Sequence, residues 1–333
     1  MVDLSEEVQK IFAPGKGLLA ADESDNSADT KRLAPYGIEI GPEMRQKFRD
    51  MLLAAPGIEE YLSGVILYSE TLEQSANDGT PFAELLRKKG IIPGIKVDEG
   101  LEPFPDSEKE TITKGLIGLP ERLNGFYTKY HTSFTKWRAA ITIEGDQLPT
   151  AQALVENAKR LAMYAFEAQN AGMVPIVEPE VLLDGNHSRL RAREVITKMM
   201  HVLVGALEDH SVDLSGVIIK SSMALSGKES GRTDTPEEVA EDTLGALQEA
   251  VPKTIGGIVF LSGGQIPDQA IDNLRAICKV ARTKPAPWPL TFSYARAFQE
   301  EALAIWKGLP ENLPAAREAM LARLKSASEA LSG

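Results

Sequence analysis

Lys220 stands in GVIIKSS, behind four apolar residues of which three are β-branched. A lysine placed there reaches bulk water with difficulty. Burial disfavours the ammonium form, and a second cation such as Lys136 would disfavour it further, leaving a neutral amine able to attack a carbonyl carbon. A lysine paired with a carboxylate at the mouth of a site is the other reading. Asp22, Glu178 and Glu180 offer the acid and base groups that amine catalysis needs, because forming a carbinolamine, dehydrating it and breaking a carbon–carbon bond each move a proton. Glu178 and Glu180 are two apart in IVEPEV. On a strand they would share a face, where mutual crowding opposes ionisation and nearby lysines favour it. Glu180 has an equal claim to neutralising Lys136, Arg138 or Lys220.

Other polar groups suit the recognition of an anion. In SGGQ (262 to 265), backbone N–H groups freed by Gly263 and Gly264 next to Ser262 could cradle a phosphate, or the glycines could only make a tight turn. Arg296, in SYARAFQ, carries a guanidinium fork suited to the same phosphate. Lys31 and Arg32 form a second cationic pair, for which a solvated helix face is the alternative.

These groups need a scaffold, and the hydrophobic pattern supplies one. Eight short aliphatic runs recur: GLLAAD (17 to 22), GVILYS (64 to 69), PGIKVD (93 to 98), RAAITI (138 to 143), VPIVEP (174 to 179), GVIIKSS (216 to 222), GGIVFLSG (256 to 263) and LTFSY (290 to 294). Helical patterns fill the gaps, as at Pro42 to Ala55, Thr150 to Ala171, Leu190 to His210, Thr235 to Ala250 and Asp268 to Arg282. Alternating strands and helices give an α/β protein with a parallel sheet. An open doubly wound sheet would show the same local pattern, but GxGxxG follows none of the runs, which favours a closed (β/α)8 TIM barrel. We expect a single domain over 1–333, with a helical N-terminal segment at 1–13 and a helical tail at about 299–333 broken at LPENLP. In such barrels the active site lies at the C-terminal strand ends. There the chain puts Asp22, Lys96, Asp98, Glu178, Glu180, Lys220, Ser262 and, just past the last run, Arg296; Lys136 and Arg138 belong to the fourth run and point to one face.

Composition narrows the function. With 333 residues, of which 43% are hydrophobic, the chain can bury a large core. A net charge of −12 argues against nucleic acid or an anionic membrane as partner, and an acidic protein that binds phosphate must gather its cations in one cleft. The aliphatic runs are too short to span a bilayer and MVDLSEEVQK does not open like a signal peptide, so a cytoplasmic location is expected. Cys278, the single cysteine, excludes an internal disulfide and lies on an apolar helical stripe, as a structural thiol would. The four histidines occur in neither HxH nor HExxH spacing, and no metal site is proposed locally.

Seven segments, LLAADES, GVILYSETL, GIKVDEG, KWRAAI, IVEPEVLLDGNH, FLSGGQ and LTFSYARA, in this order from about Gly15 to Ala302, closely resemble class I fructose-bisphosphate aldolase. The resemblance implies a single α/β barrel that needs no metal or cofactor and reversibly cleaves fructose 1,6-bisphosphate to dihydroxyacetone phosphate and glyceraldehyde 3-phosphate. It implies Lys220 as the Schiff-base lysine, Glu178 as principal acid/base group, Asp22 aligned with the substrate hydroxyls, and Lys136 stabilising developing negative charge beside Arg138 and Lys96. Ser262, Gly263 and Arg296 correspond to the binding site for the phosphate at the ketose end; Ser24, Ser27, Lys31 and Arg32 correspond to the region contacting the other. A homo-oligomer, often a tetramer, is the family's habit. Two departures stand out. SDNSADTKR is one residue longer than the family pattern, and the family's animal members end in a tail with a terminal tyrosine, where this chain ends SEALSG, so that Tyr294 is the nearest tyrosine in sequence. An aldolase for a related sugar phosphate such as fructose 1-phosphate, or a scaffold protein without turnover, are the competing readings.

Overall fold

The computed structural model describes residues 4–333, so the first three residues of the expected N-terminal segment lie outside the described residues. Eight strands run parallel around a closed barrel in sequence order: β1 (Gly17–Ala21), β2 (Leu62–Leu67), β3 (Ile92–Lys96), β4 (Phe134–Ile141), β5 (Val174–Val181), β6 (Ile218–Ser221), β7 (Gly257–Phe260) and β8 (Leu290–Tyr294), with β8 pairing back to β1. The closed barrel thus replaces the open-sheet alternative. A short antiparallel ribbon, Leu101–Pro103 with Thr111–Thr113, sits between β3 and β4 outside the barrel.

The strands are buried on both sides, and their alternation divides two cores. Leu19, Val65, Ile95, Trp137, Val177, Ile219, Ile258 and Phe292 point outward to the helical layer. Leu18, Ile66, Phe134, Ile176, Ile218 and Val259 point into the barrel. At the N-terminal end of that interior the Phe134 ring takes the space that side chains on neighbouring strands would need. A Cβ on Gly94 would stand 2.2 Å from the ring and one on Gly64 3.0 Å from it. Position 94 therefore has to be glycine while the ring stands, and position 64 is hemmed in by the ring together with Leu18 Cδ2 at 2.9 Å and Ile92 O at 3.1 Å. The helix Leu4–Ile11 closes this end with Val8 and Ile11, and Phe12 behind it fills the space a side chain at Gly257 would occupy.

Helices connect the strands and their starts follow local chemistry. Thr150 accepts from Ala153 N at 3.2 Å ahead of helix Ala151–Asn170, Ser188 accepts from Arg191 N at 3.2 Å ahead of Arg189–Asp209, and Thr235 and Glu238 form a reciprocal capping box ahead of Pro236–Ala250. Helices Arg296–Trp306 and Leu313–Ala330 flank the 3-10 turn Pro310–Asn312 at LPENLP.

Every strand but the eighth differs from the sequence reading at one end or both, and three of the differences have a visible local reason. The fourth strand occupies 134–141 instead of 138–143, because it is begun by Phe134, and Lys136 and Arg138 take inward positions within it. The fifth continues to Val181, so Glu180 belongs to it. The sixth is shorter at its start, where a 3-10 turn at Leu214–Gly216 takes over the expected first residue, Gly216.

Candidate active site

Continuing the inward series of each strand towards its C-terminal end converts carbon to charge. After Leu18 and Ala20 comes Asp22; after Ile92 and Gly94, Lys96; after Phe134, Lys136 and Arg138; after Val174 and Ile176, Glu178 and Glu180; after Ile218, Lys220. Period-two alternation alone thus carries these residues into one cleft of about 890 Å³. All fourteen site residues expected from the sequence line it: Asp22, Ser24, Ser27, Lys31, Arg32, Lys96, Lys136, Arg138, Glu178, Glu180, Lys220, Ser262, Gly263 and Arg296.

At its floor four buried charges form a chain. Lys220 Nζ is 3.0 Å from Glu178 Oε1, Lys136 Nζ is 3.1 Å from Glu178 Oε2 and 2.6 Å from Asp22 Oδ2. The two ammonium groups are thus bridged by a carboxylate. Burial opposes the ionisation of Asp22, but Lys136 and then Lys220 outweigh it and hold the carboxyl well below its ordinary range. Glu178 follows the same balance: burial is outweighed by Lys136, Lys220 and Arg138, and it stays a carboxylate. Burial in turn opposes the charge on Lys136, and the Asp22 and Glu178 carboxylates override it and raise its pKa. Isolated, each buried ion would cost several kcal/mol; paired two against two, they are tolerated. Glu178 Oε2 meets Lys136 as an ion pair and has no hydrogen-bond partner among the described residues.

The crowding anticipated for Glu178 and Glu180 is relieved by giving each its own cation. Glu180 pairs with Arg138, whose backbone N–H donates to Asp98 Oδ2 at 3.3 Å. Asp98 also holds Lys96, its Oδ1 at 2.7 Å from Nζ. At the far side, Gly263 and Gly264 both have positive φ (47° and 92°), turning the chain directly after Ser262 in a way side-chain-bearing residues disfavour. Arg296 starts the helix after β8 and has no hydrogen-bond or ion-pair partner among the described residues.

Lys31 and Arg32 part company. Arg32 Nε donates to Glu23 Oε1 at 2.8 Å and to Gln299 Oε1 at 2.9 Å, so it is fastened to the wall, whereas Lys31 is exposed at the rim. Ser24 caps the short helix that follows it, accepting from Ser27 N at 3.4 Å. The segment Asp29–Leu33 forms a π-helix, a geometry that takes up one extra residue, within the stretch SDNSADTKR, which reads as one residue longer than the resemblance implies.

Three contributors escaped the sequence reading. Glu23, pointing opposite to Asp22, pairs at 2.7 Å with Arg49 and at 2.8 Å with Arg32; against its burial, Arg49 and then Arg32 lower its pKa, and it anchors Arg32. Ser293, on the inner face of β8, keeps a buried hydroxyl without a partner, and alternation in LTFSY could have pointed to it. Lys228 lines the cleft from the loop after β6, and no local signal separates it from an ordinary surface lysine. Tyr294, by contrast, donates its hydroxyl to Ala270 O at 2.9 Å in the outer layer, away from the cleft. Cys278 is a structural thiol, pushed by burial up to about 11. Among the described residues no group of His, Cys, Asp and Glu is placed to hold a metal ion, and no helix is long and apolar enough to cross a membrane.

Comparison with known proteins converges on one family. The model of the glycolytic class-I fructose-bisphosphate aldolases matches residues 3–333. A fructose-bisphosphate aldolase of Drosophila melanogaster is 46% identical over 332 residues, covering 99% of this chain and 90% of the relative. A probable class 1 fructose-bisphosphate aldolase of Xanthomonas axonopodis pv. citri is 43% identical, with 97% and 95% covered. Among solved structures, the fructose-bisphosphate aldolase of Plasmodium falciparum, crystallised with TRAP and a small-molecule inhibitor, superposes with a TM-score of 0.95 at 40% identity, covering 98% of this chain and 93% of that one.

Proposed function

The chain belongs to the class-I fructose-bisphosphate aldolase family, lyases that reversibly cleave fructose 1,6-bisphosphate to dihydroxyacetone phosphate and glyceraldehyde 3-phosphate, and from that premise we propose that Lys220 carries the reaction as a Schiff base. The observation that supports this best is Glu178, buried between Lys220 at 3.0 Å and Lys136 at 3.1 Å. A carboxylate in contact with the amine can take its proton, freeing the lone pair to attack the C2 carbonyl of the ketose. The carbinolamine hydroxyl then leaves as water with a proton returned by Glu178, and the C2 iminium remains. Transfer of the C4 hydroxyl proton to the Glu178 carboxylate, freed by that dehydration, lets the C3–C4 bond break; its electron pair flows into the iminium to give an enamine, and the aldehyde departs. Protonation at C3 and hydrolysis release dihydroxyacetone phosphate and restore Lys220.

In this reading Asp22 orients the substrate hydroxyls, and Lys136, kept cationic by two carboxylates, stabilises negative charge developing on oxygen. Lys96 and Arg138 flank the reacting carbons from neighbouring strands. Ser262, Gly263 and Arg296 take the ketose-end phosphate; Ser24, Ser27 and Lys31 take the other, with Arg32 fixed beside them by Glu23. The cations gathered here in a chain of net charge −12 give two phosphates the binding field they need. Catalysis without a metal, a cytoplasmic location and a homo-oligomeric, tetrameric assembly complete the proposal, carried by family membership.

Sodium borohydride added with dihydroxyacetone phosphate is expected to label Lys220 covalently and inactivate the protein, and EDTA is expected to leave cleavage intact. Labelling of another lysine, or none, would sink the Schiff-base assignment; loss of activity in EDTA would overturn metal independence. Size-exclusion chromatography with light scattering tests the tetramer.

A further inference from the structure

Two cations converge on one turn of the cleft wall. A methyl group built on Gly264 would stand 3.0 Å from Lys228 Nζ and 3.3 Å from Arg296 Nη2. Like charges brought this close repel unless an anion lies between them. Their protein partners do not supply it: Arg296 has none among the described residues, and Lys228 has only Asp184 Oδ1 at 3.5 Å, a pair largely in solvent and worth little. Glycine at 264 leaves the space beneath both cations open.

The root of Lys228 is nevertheless fixed. Its backbone N–H donates to Leu183 O at 2.9 Å, and its neighbours do the same, Gly227 N to His187 O at 2.8 Å and Glu229 N to Gly185 O at 2.9 Å. The approach is so close that a Cβ on Gly227 would meet Gly185 O at 2.2 Å. The loop after β6 is thereby bolted to the loop after β5, and a flexible four-carbon stem projects an ammonium from a rigid base over the glycine turn.

We propose that Lys228 is a further binding residue for the phosphate at the ketose end. Its ammonium meets the dianion from the side opposite the Arg296 guanidinium and sets how tightly any ketose carrying a C1 phosphate is held. The proposal rests on the Schiff-base reading for the orientation of the substrate. Lys228 touches no reacting atom, so its removal acts on binding and not on the chemical step.

The test is borohydride trapping of the intact protein across a dihydroxyacetone phosphate series, in wild type, Lys228→Met and Lys228→Arg, with phosphate-free dihydroxyacetone in parallel and steady-state cleavage of fructose 1,6-bisphosphate and fructose 1-phosphate. In Lys228→Met the half-saturating dihydroxyacetone phosphate concentration and the KM of both hexose substrates should rise about tenfold, with kcat changed less than about twofold. Lys228→Arg should restore most of the loss, and trapping with dihydroxyacetone should be unchanged. An unaltered dihydroxyacetone phosphate curve in Lys228→Met overturns the proposal. So does a loss confined to fructose 1,6-bisphosphate, which would put Lys228 at the other phosphate, or an equal loss with dihydroxyacetone, which would make its role structural. If wild type itself is not labelled on Lys220, the underlying reading falls and takes this one with it; labelled wild type with an unaffected variant removes Lys228 alone.

Discussion

The two ends of the barrel interior are built on the same strands with opposite materials. At the N-terminal end Phe134, Leu18, Ile218 and the capping helix exclude water with carbon. Two to four residues further along the same strands, Lys136, Glu178 and Lys220 are buried and Asp22 nearly so, and all four are ionisable. The first arrangement gains free energy from burial, about 1.5–3 kcal/mol for each large apolar side chain. The second roughly breaks even, because desolvation offsets the attraction of paired ions. Stability and chemistry are therefore separated along the barrel axis, by a distance of one side-chain layer.

That separation can be tested from both ends. The largest effect is expected at the charged end: Lys220→Arg keeps the ion pair with Glu178 but not a normal nucleophile, so kcat should fall at least about ten-thousandfold, about 5.5 kcal/mol in the barrier, while stability changes by less than about 1 kcal/mol. Stopped assays alongside denaturant melts would show it; wild-type-like turnover would refute the assignment. At the carbon end, Phe134→Ala should do the reverse, costing about 3–5 kcal/mol of stability while the folded fraction keeps kcat within about threefold. Activity lost in proportion well beyond unfolding would mean that the two ends are coupled.

A smaller effect follows for Gly94→Ala, whose methyl must displace the Phe134 ring; overpacking of about 1–3 kcal/mol is expected by urea unfolding, and combining it with Phe134→Leu should return part of the loss. Additive losses in the double variant would contradict the steric account. Smallest, and confined to acid, is the pH response. Asp22, Glu178 and Glu23 all have folded pKa values below their unfolded ones. Their contribution to stability is present in full above the unfolded carboxylate range and lost as pH falls through and below about 4.5. The thermal midpoint should therefore be flat near neutrality with respect to these groups and decline in acid; a midpoint that rises on acidification would contradict the assignment.

Much of this architecture was legible in the chain itself, and the physical reasons are specific. GVILYS and GVIIKSS read as strands because β-branched and aliphatic residues run without interruption after a glycine, as buried parallel strands require. Lys220 stood out as a cation at the end of such a run, but a carboxylate partner explained it as well as a nucleophile did, and the resemblance is what singled it out. The fourth strand was misplaced for the converse reason: Lys136 and Arg138 break its apolar run, and only the closed barrel shows that inward positions there face a cleft. Glu23 and Lys228 were illegible because their roles depend on partners remote in sequence, Arg49 and Gly264 among them. Nothing within a few residues of either encodes that meeting.

The ring of Phe134 and the two glycines it displaces have a further consequence, for how such a sequence can change over time. A side chain gained first at position 94 meets the ring and a ring lost first leaves an unfilled hole, so either large step taken alone costs stability. Positions 94 and 134 are thus expected to change together. The passable route starts with a modest reduction at 134, followed by filling at 94. A laboratory lineage selected only for folding should take its steps in that order, while the catalytic end of the same strands remains unaltered.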